Sequence, residues 1–196
     1  MKVKQAIVKL TGASPYSQSK MYVAAKEGRE THDAFEKRTW AERAHYDSDG
    51  EIYIPALQLK RALEDAAKYL SMKIPGKGQQ TYSKNFRAAI TVNDNIPLGV
   101  SRGDLALNGP HCDAVFGSST GTTGSGSRVQ KYFPLVTEWS GTTTIEIYDE
   151  SIDKKVLDEH LKAAGLLIGI GRWRPQNGGY YGRFVAQIVE WKTVEY

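Results

Sequence analysis

The sequence predicts an α+β fold, an antiparallel sheet with helices packed on one face. Three observations carry this expectation. One segment repeats its apolar residues at helical spacing, several short β-branched runs surround it, and no linker or internal repeat divides the 196 residues into two units. A single domain spanning 1–196, with inserted excursions at 71–87 and 108–128, is the reading that follows.

Residues 3–11 alternate well enough for a strand, and residues 12–20 (GASPYSQSK) have loop composition. Thr31 is placed to cap a helix reaching about His45, with Phe35 and Trp40 as its apolar anchors. Residues 47–50 (DSDG) form a turn, 51–54 a short strand, and Pro55 sits in the first turn of the next helix, where its missing N–H costs nothing. In that helix Leu59, Leu63, Ala66, Ala67 and Leu70 share one face. Lys60, Glu64 and Lys68 ladder its polar face, where each ion pair contributes about 0.2–0.5 kcal/mol, so Lys60 is left out of the candidate site.

Residues 71–87 (SMKIPGKGQQTYSKNFR) read as a basic loop and 86–92 as a strand. Residues 108–127, rich in Gly, Ser and Thr, read as a mobile excursion without enough apolar surface to order itself. Residues 128–137 and 141–149 read as paired strands. Ser151 caps a helix over 152–164 that ends on Gly165. A short apolar strand at 166–170, a loop at 171–182 and a final strand at 183–191 close the chain.

No apolar run approaches the roughly 18 residues of a membrane span, and the first residues (MKVKQAIVKL) hold no secretory core, so a cytoplasmic protein with no membrane partner is expected. The one cysteine, Cys112, excludes an intramolecular disulfide framework and, with four scattered histidines, a cysteine-rich zinc module. Asp47 and Asp49 open like a calcium loop, but the later ligand positions fall on Ile52, Ile54 and Pro55. Neither a metal nor a cofactor is expected.

The formal net charge of +4 decides little, but its distribution is uneven. Residues 60–87 hold seven basic and two acidic side chains, and residues 138–159 hold seven acidic and two basic. Such segregation suits a polyanion binder with one basic and one acidic face.

The segment 169–184 (GIGRWRPQNGGYYGRF) combines glycines, three arginines, four aromatics and no acid. Glycines let another backbone approach, arginines clamp phosphates, and flat rings stack unpaired bases. A Rossmann fingerprint is excluded because its third glycine falls on Arg174, and no G-K-[ST] ending marks a P-loop.

Two stretches together resemble a known family. Residues 51–63 (EIYIPALQLKRAL) are similar to the strand–Ile-Pro–helix opening of the RAMP superfamily, the RNA-binding backbone subunits of CRISPR effector complexes. Residues 171–184 resemble that superfamily's glycine-rich loop, and the order of elements agrees. There is also a similarity to small phage-encoded proteins of unknown function. The resemblance implies a modified ferredoxin-like (RRM-like) core and side-by-side assembly along a single strand, as a homo-oligomer or filament. It also implies that the excursions at 71–87 and 108–128 correspond to webs and a thumb reaching the strand or a neighbour.

The expected function is sequence-tolerant, non-catalytic binding of single-stranded RNA or DNA, in a CRISPR-type complex or apart from one. Lys73, Lys77, Lys84, Arg87, Arg128, Lys131, Arg172, Arg174 and Arg183 would hold the backbone, with Trp173, Tyr180 and Tyr181 stacking bases. One alternative is a metal-independent endoribonuclease drawing on His32, Asp33, His45, His111 or His160. Capping explains the first two residues and a helix flank explains His160 without catalysis. The other alternative is a phage structural or decoy protein that acts through protein contacts with a host complex.

Overall fold

The computed structural model describes residues 2–119 and 127–195. In chain order these form β1 (Lys2–Gly12), β2 (Tyr16–Ser17), α1 (His32–Thr39), β3 (Glu51–Ile54), α2 (Ala56–Leu70), α3 (Ser83–Ala89) and β4 (Ile90–Val92). There follow β5 (Ile96–Ser101), β6 (Cys112–Ser118), β7 (Arg128–Val136), β8 (Ser140–Ile147), α4 (Lys154–Ala163) and β9 (Phe184–Glu195).

The main sheet runs β4-β8-β1-β9, antiparallel at every pairing. Its wiring is two interleaved βαβ units, β1–α2–β4 and β8–α4–β9, which is the ferredoxin-like arrangement the sequence led us to expect. Alternation along β1 decides the faces. Ala6, Val8 and Leu10 are fully buried, with Leu59, Leu63, Ala66 and Ala67 of α2 and Leu157 and Leu161 of α4 in the same core cluster. A bulge between Ile7 and Val8 in the pairing with β9 leaves Val189 without a facing residue.

Two smaller sheets flank this core. β2-β7-β6 is one, and β3-β5 is the other. α1, capped by Thr31 Oγ accepting from the Ala34 amide, runs into a 3₁₀ turn at Trp40–Arg43, and both pack on β7. Arg43 is buried there: it pairs with Glu36 at 2.8 Å, donates to the Tyr132 carbonyl and lies over the rings of Tyr22 and Phe133.

Several expectations are corrected. β7 and β8 do not pair with each other; β7 lies between β2 and β6, and β8 between β4 and β1, because the crossovers through α2 and α4 place β8 beside β1. The stretch 71–87 is not loop throughout, since residues 83–89 form α3, and Phe86 is the buried anchor of that helix rather than the start of a strand. Asp153, not Ser151, caps α4. The apolar run expected as a strand at 166–170 continues α4 as a π turn over Ala164–Ile168. Within 12–20 the short strand β2 pairs with β7. In the 108–128 excursion, residues 112–118 form β6, while 120–126, where the mobile glycine-serine-threonine stretch was expected, lie outside the described residues.

The basic and acidic stretches do not form opposite faces. Asn85 Nδ2 donates to Asp149 at 2.5 Å, and the Tyr82 hydroxyl donates to the Ser151 carbonyl, so the lysine-rich excursion adjoins the acidic segment before α4. His160 is fully buried, stacked on Phe86 at 4.0 Å between ring centroids, as a structural side chain should be.

Candidate nucleic-acid interface

The loop between the π turn and β9 is held backbone to backbone against β2. Arg172 N donates to the Ser17 carbonyl and Gly182 N to the Pro15 carbonyl, each at 2.8 Å. Glycine is required at both contacts: a Cβ on Gly171 would lie 2.5 Å from Ser17 O, and one on Gly182 would lie 1.8 Å from Ile170 O, with both residues at positive φ. Trp173 adopts the left-handed region without being glycine, at φ 53°.

This anchoring fixes the loop's side chains. Arg172 ion-pairs with Asp113 of β6, donates from Nε to Ser17 Oγ at 3.0 Å and lies flat over Phe133 with its guanidinium 4.0 Å from the ring centroid. Burial pulls its pKa down, and the Asp113 and Tyr181 charges oppose that pull. Arg174 lies 3.7 Å from Asp65 of α2, and its Nε is buried without a hydrogen-bond partner among the described residues. Trp173 and Tyr180 are exposed by 52% and 58%, and both meet the half-buried Tyr181 edge-on, with ring centroids 5.8 and 5.7 Å away. The outward positions of β1, β8 and β9, such as Ile7, Thr144 and Val185, hold no ring, so the stacking surface belongs to the loop and not to the sheet.

Arg172 and Arg174 line a pocket of about 290 Å³ with Ser19, His45, Gln58 and Arg61. Cations from two distant parts of the chain, α2 and the loop, therefore converge beside His45. Burial lowers the His45 pKa, and the nearby Lys20 charge lowers it further, so its imidazole is neutral at pH 7. Gln58 accepts from the Tyr16 hydroxyl at 2.9 Å, which pins the pocket's wall. Lys131 shares a strand face with Phe133, beneath Arg172, while Arg128 is exposed at the start of β7 on the alternate face.

The other candidate cations lie elsewhere. Gln58, Arg61 and Asp65 mark the flank of α2 that meets the loop, whereas Lys60 donates to the Phe86 and Arg87 carbonyls of α3 and Ser83 to the Ala67 carbonyl. Gln58 and Lys60 are about 200° apart around the helix. Lys73, Lys77, Lys84 and Arg87 are exposed on the α3 side, so the structure does not bring them to the loop. Arg183 turns back, donating from Nε to the Leu166 carbonyl. Arg61, Gln58 and Ser19 join the site without having been singled out. The helical register of Gln58, Arg61 and Asp65 was the available signal for the first two.

Of the histidines, only His45 reaches this pocket. His32 begins α1, and His111 Nδ1 lies 3.1 Å from the Leu135 carbonyl. Among the described residues no cluster of His, Cys, Asp and Glu suits a metal ion, and no helix is long and apolar enough to cross a membrane.

No protein-family model matches the sequence, and no curated protein does either. Solved structures do align with it. A chain of the type III-B Cmr-beta complex, determined by cryo-EM bound to cognate target RNA, superposes with a TM-score of 0.52 at 13% identity, covering 98% of this chain. The protein spans 61% of that chain's length. A chain of a type IV-B CRISPR complex aligns at 10% identity and a TM-score of 0.44, covering 95% of this chain and 90% of the other. The likeness to the Cmr-beta chain is one of fold.

Proposed function

We propose that the protein is a RAMP-type subunit that binds single-stranded nucleic acid without catalysis and assembles side by side along it. The observation that carries this is the convergence of Arg61, Arg172, Arg174 and His45 on one pocket of about 290 Å³ next to the exposed rings of Trp173 and Tyr180. Guanidiniums suit phosphate oxygens, and rings beside them suit unpaired bases, the pairing of groups a single-strand binder requires. The fold shared with a chain of an RNA-bound CRISPR complex fits this reading. Lys131 extends the cationic surface along β7, whereas the excursion cations Lys73, Lys77, Lys84 and Arg87 would serve a neighbouring subunit or a more distant part of the strand.

The test is fluorescence anisotropy with matched RNA and DNA single strands and a duplex, across a salt series. Three phosphate contacts give a log–log slope of about −2 on a single strand, and Arg61→Ala reduces its magnitude by about 0.7. Binding that is flat in salt, or equal for duplex, overturns the proposal.

His45 favours a second reading. A neutral imidazole beside three guanidiniums is the arrangement of a metal-independent ribonuclease, with the imidazole accepting the 2′-hydroxyl proton. Cleavage of labelled RNA that His45→Ala abolishes supports that reading; intact RNA after long incubation ends it.

A further inference from the structure

A groove of about 810 Å³ opens beside the same loop. It is lined by residues 11–15 of β1 and the turn after it, 97–99 of β5, 137–140 between β7 and β8, and the ring of Tyr180. Its walls mix small polar residues such as Thr11, Ser14, Thr137 and Ser140 with apolar ones such as Pro15, Pro97 and Leu98. Trp139 stiffens one of them: it is 5% exposed, its indole packs on Gly12, and its Nε1 donates to the Ser14 carbonyl at 3.0 Å. That wall of the groove is therefore fixed.

Its chemistry differs from that of the cation pocket. Glu138 is the only charged side chain in the lining, so the groove is a poor seat for a phosphate. A hydrogen-bond-accepting carboxylate beside an exposed aromatic ring instead matches a nucleobase that stacks on the ring and donates from an exocyclic amine. The two sites are also connected. Arg172 at the pocket docks on Ser17 of β2 and Gly182 near the groove on Pro15 just before it, and the rings step from Trp173 through Tyr181 to Tyr180. A strand whose phosphate sits among the arginines has a line of rings leading one of its bases to the groove.

We propose that this groove accepts one nucleobase of the bound strand, stacked on Tyr180 with its exocyclic amine donating to the Glu138 carboxylate. Cytosine, adenine and guanine are favoured there over uracil and thymine. This rests on the strand-binding reading and adds a base preference to contacts that are otherwise blind to sequence.

Anisotropy with the full chain at pH 7.5 compares oligocytidylate and oligouridylate of one length, bases that differ at the amine-bearing edge. The wild type binds oligocytidylate about tenfold more tightly, as one hydrogen bond to a charged acceptor allows. Glu138→Gln, whose amide both donates and accepts, brings the ratio near one and leaves the salt slope unchanged. Tyr180→Ala weakens both oligonucleotides by at least about fivefold. Equal wild-type affinities, or a ratio that Glu138→Gln does not alter, overturns the inference while strand binding stands. A protein that binds neither oligonucleotide at any salt overturns the strand-binding reading, and this inference with it.

Discussion

Replacing Asp113 by alanine removes the carboxylate that holds Arg172, in a place where both side chains are 15% exposed. Breaking a fully buried ion pair costs about 3–5 kcal/mol, because the remaining charge is left in a medium that solvates it badly. Arg172 keeps two contacts, the Ser17 hydroxyl and the Phe133 ring, and some water reaches it. The expected loss is therefore smaller, about 2–3 kcal/mol, still a sizeable share of the roughly 5–15 kcal/mol that stabilises a domain. With a urea dependence of about 2 kcal/mol per molar, the unfolding midpoint falls by about 1 M or slightly more. The same variant frees the guanidinium from its fixed plane, so affinity for a single strand falls about tenfold even well below the new midpoint. Adding Arg172→Met to Asp113→Ala recovers much of the stability, since no unpaired charge remains, but none of the affinity. A midpoint that Asp113→Ala leaves unmoved refutes the reasoning, as does an Arg172→Met, Asp113→Ala chain less stable than Asp113→Ala alone.

Three further outcomes follow from particular groups. Gly182→Ala places a methyl 1.8 Å from Ile170 O at a φ of 75° and costs at least about 2 kcal/mol, whereas Gly50→Ala, at a φ of 83° with open space around it, costs only about 1 kcal/mol; paired thermal melts compare them. Burial lowers the His160 pKa, so the unfolded chain binds its proton more readily than the folded one. The stability His160 permits is complete above the unfolded value of about 6.5 and is lost as the pH falls below it. Urea midpoints at pH 7.5 and 5.0 should show this dependence, and His160→Phe should flatten it. Because burial and Lys20 lower the His45 pKa, His45 adds a positive charge to the arginine pocket only on acidification; anisotropy should show strand affinity rising as the pH falls below the ordinary histidine value of about 6.5, a rise that His45→Ala removes.

The elements legible in the sequence are those whose burial is written in their own periodicity. β1 alternates and α2 carries a five-residue apolar stripe, and both stand within a residue or two of expectation. α3 is different. Its seven residues bury only Phe86, and the helix exists because α2 satisfies its ends, with Lys60 meeting the Phe86 and Arg87 carbonyls. No property of residues 83–89 alone announces that help. The apolar run at 166–170 is ambiguous for another reason, since a short unbroken apolar stretch fits a buried strand as well as a helix end, and only the packing of Gly165 on the Phe184 carbonyl settles it.

The site divides in the same way. Its glycines and rings were readable because their requirements are local, a tight backbone contact and a flat apolar surface. Arg172 and Arg174 were readable with them, but the other cations were not, because what a charge does depends on what the fold sets against it. Lys73, Lys77, Lys84 and Arg87 look like the strongest phosphate cluster in the chain, yet they stand exposed away from the loop, on the far flank of α2 where Lys60 meets α3. Arg61, which the sequence did not single out, is turned by its register with Gln58 into the pocket where Arg172 and Arg174 already converge. Charge density along a sequence therefore overstates the excursion and understates the helix. The quantity that decides the binding surface is how many cations the fold gathers in one pocket, and here Arg61, Arg172 and Arg174 meet beside His45, with Asp113 and Asp65 pairing two of them.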